Sequence, residues 1–180
     1  MSEHPDHPAN RRIDRIKEPA FVEGLQELSL EDLRARRDEC MSEREYLSLL
    51  RRLLQGRAEI LQAALDARGS AEEQAPLVQR LATILADDDH PSTSRGEAVR
   101  VSVPEDEMLL ARRRVERLAT DAELSDPSEL SDTALASVIV SLSTEEHGVS
   151  EDRRAVIDVL DVLQDELKRR YKDDPTLALR

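Results

Sequence analysis

The chain has 180 residues, of which 36% are charged, 2% are aromatic and none is Trp, and its formal net charge is −13. That length suits one domain, or one domain with tails. So few aromatics argue against a sandwich or barrel, and so acidic a surface argues against nonspecific binding to DNA or RNA, which wants a basic face. An acidic protein can instead meet a basic partner, such as the nucleic-acid-binding surface of another protein. A single cysteine, Cys40, excludes an internal disulfide and a cysteine-cluster metal site, and reads as a helix residue in a reducing compartment.

In chain order, residues 1–27 are rich in Pro, His and charge and read as a mobile N-terminal tail. His4 and His7 have a metal-compatible spacing, but nothing nearby completes a site. At "SLEDL" Ser29 suits a helix cap, with Asp32 standing in for the usual third-position Glu or Gln. No proline follows until after Gly69, so a helix over 30–68 is expected, long enough for a coiled-coil or hairpin arm. Leu47, Leu50, Leu54, Leu61 and Leu65 form one apolar stripe along it, and Tyr46, Leu49, Leu53 and Ile60 a second.

Residues 75–86 suit a short amphipathic helix, and 87–103 a flexible linker that contains the one strand-like run, "VRVSV". A further helix over 104–122 would carry Pro104 in its first turn and acids near its positive end. Ser131 suits another helix start. The last helix either begins near 144 or continues from that start, and runs to Tyr171 before "KDDP" ends it. Residues 173–180 read as a C-terminal tail. The architecture this predicts is all-α: two long antiparallel helices in a coiled-coil-like hairpin, flanked by shorter helices, within a domain over 28–172. No run of apolar residues approaches membrane length, and the N-terminus has no signal-peptide core, so a cytoplasmic protein without a membrane partner is expected.

The last long helix carries a polar stripe beside its apolar seam of Val149, Val156, Leu160, Leu163 and Leu167. Glu146, Ser150, Arg153 and Asp161 fall within a sector about 80° wide. The first long helix repeats the arrangement with Ser48, Arg51, Gln55 and Glu59 beside its own leucine seam. Both helices present Ser, Arg and a carboxylate in the same order, and antiparallel pairing would bring the stripes together with quasi-twofold symmetry. Ordinary i,i+4 pairing on charged helices also produces such spacings. The chemistry nevertheless suits a phosphate-bearing guanine nucleotide. Arg forks onto guanine O6/N7 or phosphate, a carboxylate accepts from guanine N1–H and its amine, and a hydroxyl meets phosphate or ribose. It does not suit a hard metal, and no glycine-rich phosphate loop is present.

At these residues the sequence resembles RsiG, the actinobacterial anti-sigma factor family that holds the sporulation sigma factor WhiG. The family signature, E-x3-S-x2-R-x3-Q-x3-D, is written once on each of two antiparallel helices. Copy two reads Glu146, Ser150, Arg153, Ile157, Asp161, with Ile in place of Gln. Copy one reads Arg44, Ser48, Arg51, Gln55, Glu59, with Arg in place of the opening Glu, although Glu43 and Glu45 adjoin it. The flanking "YLSLLRRLLQGR" and "LQDELKRRY" are also similar to the family, and the likeness covers roughly 28–172. The resemblance implies a dimer of cyclic di-GMP gripped between the helices, sequestration of a WhiG-like sigma factor, developmental control of transcription and no catalysis. Its cyclic di-GMP contacts would be Ser48, Arg51, Gln55, Glu59, Glu146, Ser150, Arg153 and Asp161. The competing expectation is a nucleotide-independent long-helix adaptor or homodimeric coiled-coil scaffold. An enzyme is disfavoured, because neither metal-binding clusters nor a phosphate loop occur, and His147 reads as a solvated neighbour of Glu146.

Overall fold

In a computed structural model, the structure describes residues 8–69, 103–120 and 130–179. The expected helix over 75–86, the strand-like run up to Ser102, most of the linker and the pair His4 and His7 lie outside these residues. The described elements are α1 (Pro8–Lys17), α2 (Leu30–Gly69), α3 (Glu105–Thr120) and α4 (Asp132–Asp173). Short 3-10 turns span Pro19–Phe21, Leu25–Glu27 and Pro175–Leu179. The class is all-α, with no strand among the described residues, and the two long helices are the ones the apolar periodicity predicts.

Local chemistry sets the helix starts. The Ser29 carbonyl accepts from the Leu33 N–H at 3.0 Å, and its hydroxyl oxygen accepts from the Asp32 N–H at 3.0 Å. Ser29 is therefore the N-cap: its carbonyl takes the first helical bond, and its hydroxyl satisfies one amide donor that the helix leaves unpaired. Asp32 accepts a hydrogen bond from the Ser29 hydroxyl at 2.6 Å, being too short to play the full part of a Glu reaching back to the cap amide. Ser131 caps α4 in the same way, through the Ala134 and Leu135 amides at 3.2 and 3.0 Å. Pro104 lies one step outside the expected first turn. Its carbonyl accepts from the Met108 N–H at 3.0 Å, which makes it the cap of α3.

Of the two readings left open for the last helix, continuation is the one realised. α4 runs unbroken over 42 residues through the hydroxyl-rich "SLST". Ser141 and Thr144 turn their hydroxyls back to the carbonyls of Ser137 and Val140, at 3.1 and 2.8 Å, so they do not compete with the helical ladder. Likewise α2 passes through Gly56 without interruption, although a helical glycine costs roughly 1 kcal/mol against alanine.

The chain divides into two compact units, and the division falls inside both long helices. The first comprises residues 1–48 and 150–180, the second residues 49–149. In the first, Arg34 donates to Tyr171 and Arg153 donates to Ser48, so α2 ascends while its partner in α4 descends. In the second, Gln55 donates to Glu146 and Arg68 to Asp132, with the same result. The helices are antiparallel within each unit. The first unit buries Leu33, Cys40, Tyr46 and Leu47 against Val156, Leu160, Leu163 and Leu167. The second buries Leu50, Leu54 and Leu61 with Leu135, Val138, Leu142 and Val149, and adds Ala111 and Val115 from α3. At about 1.5–3 kcal/mol for each fully buried aliphatic, these seams carry the fold. The second apolar stripe of α2 is less uniform, because Tyr46 is buried, Leu49 and Leu53 are half-buried, and Ile60 is 38% exposed.

Two expectations need correction. The N-terminal segment is not simply a tail: α1 and two 3-10 turns occupy residues 8–27, and Ile13, Ile16, Phe21 and Leu25 are buried. Its polar composition concealed these four apolar anchors, whose partners lie far along the chain. Nor do residues 173–180 simply trail away. The turn over Pro175–Leu179 presents the Leu177 carbonyl to Arg34 Nη2 at 2.8 Å. Among the described residues no helix is long and apolar enough to cross a membrane.

Candidate functional site: polar stripes on the long helices

Ser48 sits half-buried on α2, one residue after the buried Leu47. Its hydroxyl donates to the Arg44 carbonyl at 2.7 Å, which leaves the oxygen to accept from Arg153 Nε at 2.9 Å. One turn of α2 and one turn of α4 are thereby tied through the second position of copy one and the third of copy two. Arg44, in the variant opening position, pairs with its own neighbour Glu45 at 2.7 Å. The other adjoining acid, Glu43, is fully buried and forms an ion pair with Arg12 of α1. It is thus a docking residue for α1. No sequence signal marked this, because an acid in a charged helix looks solvated until its partner is known. Lys17 of α1 adds a second link, to Asp152 at 2.7 Å beside Arg153, and this hydrogen bond and charge raise the Lys17 pKa.

In the second unit, Gln55 Nε2 donates to Glu146 Oε1 at 3.1 Å, joining the fourth position of copy one to the first of copy two. Both side chains are half-buried, as is Arg51. The two hydrogen-bonded pairs share one register. From Ser48 to Gln55 is a step of seven residues forward, and from Arg153 to Glu146 a step of seven back. The same register places Arg44 opposite residue 157, both in the first unit. Ile157 is half-buried, between the fully buried Val156 and the outward Asp158, so it belongs to the margin of the stripe and not to the core. Ser150 is half-buried too, while Glu59 and Asp161, the final positions of the two copies, are both exposed.

The exposure pattern separates the arginines. Arg51 and Arg153 are half-buried, whereas their neighbours Arg52 and Arg154 are exposed. The stripes thus hold two guanidinium groups and the Glu146 carboxylate partly shielded from water, where a charge-assisted hydrogen bond is stronger than at an open surface. His147 is exposed. Among the described residues no group of three His, Cys, Asp or Glu side chains is gathered as a metal ion would require.

A family model described as RsiG-like matches residues 19–85. Over that span the chain is similar to the RsiG-like family. That family is one of regulatory anti-sigma factors, and the match suggests such a role in general terms. The RsiG-like match takes in the whole of α2, and with it all five positions of copy one, together with the Pro19–Leu28 turns. Copy two lies on α4, beyond the matched span. No curated protein matches the chain.

Proposed function

We propose that this RsiG-like chain sequesters a sporulation-type sigma factor resembling WhiG when cyclic di-GMP is bound along the polar stripes of its two long helices. The observation that carries the reading is the shared register of Ser48 with Arg153 and of Gln55 with Glu146. Hydrogen-bonded pairs between the helices hold nucleotide-competent side chains in place before any ligand arrives. Such preorganisation reduces the entropy lost on binding.

Arg51 and Arg153 would fork onto guanine O6/N7 or phosphate. Glu59, Glu146 and Asp161 would accept from guanine N1–H and the exocyclic amine, and Ser48 and Ser150 would meet phosphate or ribose oxygens. Gln55 can both donate and accept at a base edge. Two guanines per nucleotide, and a twofold dinucleotide, suit a motif written twice. A ligand that forms part of an interface stabilises it by mass action, and the coupling is reciprocal. Sigma factor should therefore tighten cyclic di-GMP binding by the same factor that the nucleotide tightens sigma binding.

Isothermal titration with cyclic di-GMP, GTP and cyclic di-AMP, with and without the sigma factor, tests the reading. Strict preference for cyclic di-GMP and equal reciprocal factors are expected. Heat with none of the nucleotides would leave a long-helix scaffold instead. Full sigma affinity in nucleotide-free buffer would remove the coupling but keep the anti-sigma role.

A further inference from the structure

Within the first unit, a groove of about 610 Å³ opens between the turn over residues 22–27 and the outer side of α4, away from Ser48 and Arg153. Val22, Leu25 and Val162 supply its apolar surface, and Glu27, Asp165 and the Glu166–Arg169 pair supply its rim. Val162 is 48% exposed, outside the buried seam of its helix, so it plays no part in folding that seam.

The groove is built rigidly. Glu166 accepts from both Arg169 and Arg170, and Arg170 in turn donates to the carbonyls of Leu25 at 2.6 Å and Leu28 at 2.8 Å. This clamps the wall to α4. Gly24 turns that wall with φ +62°, a left-handed conformation that costs a side-chain-bearing residue strain. The wall is also acidic: from Glu18 to Leu33 the sequence has Glu18, Glu23, Glu27, Glu31 and Asp32, all exposed, and no basic residue. Across the groove, α4 contributes the exposed Asp165. The ion pair of Asp165 with Lys168 lies in water, with both side chains more than 70% exposed, so a competing cation displaces it at little cost.

We infer that this groove is a docking surface for a protein partner, and that it takes a segment bearing Lys or Arg beside an aliphatic side chain. The aliphatic group packs on Val162 and Leu25, and the cations answer Glu27 and Asp165. A basic segment of a sigma factor, of the kind that otherwise faces nucleic acid, has this chemistry. The inference rests on the anti-sigma reading for the class of partner, and adds where on the chain that partner is held. Charge complementarity of this sort contributes to the association rate and to specificity.

The test compares Val162→Glu and Asp165→Lys in the full chain, with purified sporulation-type sigma factor at saturating cyclic di-GMP. Val140→Glu is the control, because Val140 is 64% exposed in the second unit and is not among the residues lining this groove. Both groove variants should weaken sigma binding at least tenfold, and Asp165→Lys should also flatten its salt dependence. Cyclic di-GMP affinity and the melting temperature of the free chain should stay unchanged. Val140→Glu should bind as the unaltered protein does. Groove variants that bind sigma within twofold of the unaltered chain would overturn the docking site and leave the anti-sigma role standing. Equal losses in Val162→Glu and Val140→Glu would also overturn it. An unaltered chain with no sigma affinity would overturn both.

Discussion

The two units solve the same problem, an antiparallel pair of long helices, with different polar fastenings. In the second unit the ties are partly solvated: Arg68 with Asp132 and the Leu130 carbonyl, Arg114 with Glu145, and Gln55 with Glu146. The first unit adds a buried carboxylate, Glu43, held by Arg12, and uses Arg34 and Arg170 to grip backbone carbonyls of turns remote in sequence. The polar stripes differ as well. Where copy one has Gln55, a hydrogen bond crosses to Glu146. Where copy two has Ile157, the residue opposite is Arg44, whose guanidinium pairs with Glu45 on its own helix.

The sharpest way to break this contrast is to remove one fastening from each unit. Arg12→Ala strands the buried Glu43, and breaking a buried pair costs about 3–5 kcal/mol. Because the Arg12 side chain keeps 21% of its surface in water, a loss near the lower end is expected. Arg114→Ala, in a pair about 30% exposed on both sides, should cost no more than about 1 kcal/mol. Urea denaturation measures both, and equal losses would erase the distinction between the units.

Next in size come the stripe arginines, one in each unit. Arg51→Ala and Arg153→Ala should each weaken cyclic di-GMP binding by the roughly 1–3 kcal/mol of a bidentate guanine contact. Arg52→Ala and Arg154→Ala should remain within about twofold, since these side chains point to solvent. Helicity should hardly change in any of the four, because Arg and Ala are both good helix formers. Comparable effects of R51A and R52A in titration calorimetry would misplace the stripe.

A smaller effect is expected from Ile157→Gln, which restores the motif's usual residue. At a half-buried position the amide keeps access to water, so the melting temperature should shift by the equivalent of less than about 1 kcal/mol. A fall of many degrees would move residue 157 into the core and dissolve the second copy.

A pH-dependent change concerns the groove wall. Hydrogen bonds from Arg169, followed by those from Arg170, lower the Glu166 pKa from 4.5 to about 2 against an opposing desolvation. A carboxyl with a depressed native pKa stabilises the fold above its unfolded value. That contribution is lost as pH falls from about 4.5 towards 2. Acid titration of Glu166→Gln, followed by circular dichroism, should show a shallower dependence over that window than the unaltered chain. An identical acid limb would disconnect Glu166 from the clamp.

Much of this protein was legible in one dimension. Helix periodicity is a local property, so the leucine seams, the Ser29 and Ser131 caps and the two polar stripes all follow from residue spacing. The seam residues Leu47, Leu50, Leu54 and Leu61 are buried as their spacing requires. What spacing could not give was partnership across the chain. The register that joins Ser48 to Arg153 and Gln55 to Glu146 depends on how two seams interlock, and a shift of one helical turn would leave both sequences' periodicities intact. Glu43 and Lys17 look solvated in sequence, and only the folding back of α1 turns one into a buried anchor and the other into a strap to Asp152. Cys40 shows the same division. Its thiol pKa is pushed up to about 12, chiefly by burial and then by Glu39 and Glu43, and burial is set by packing rather than by the residue itself. Sequence chose the faces of these helices, because side-chain chemistry repeats every 3.6 residues; the tertiary structure chose which faces meet, because packing is settled by groups far apart in the chain.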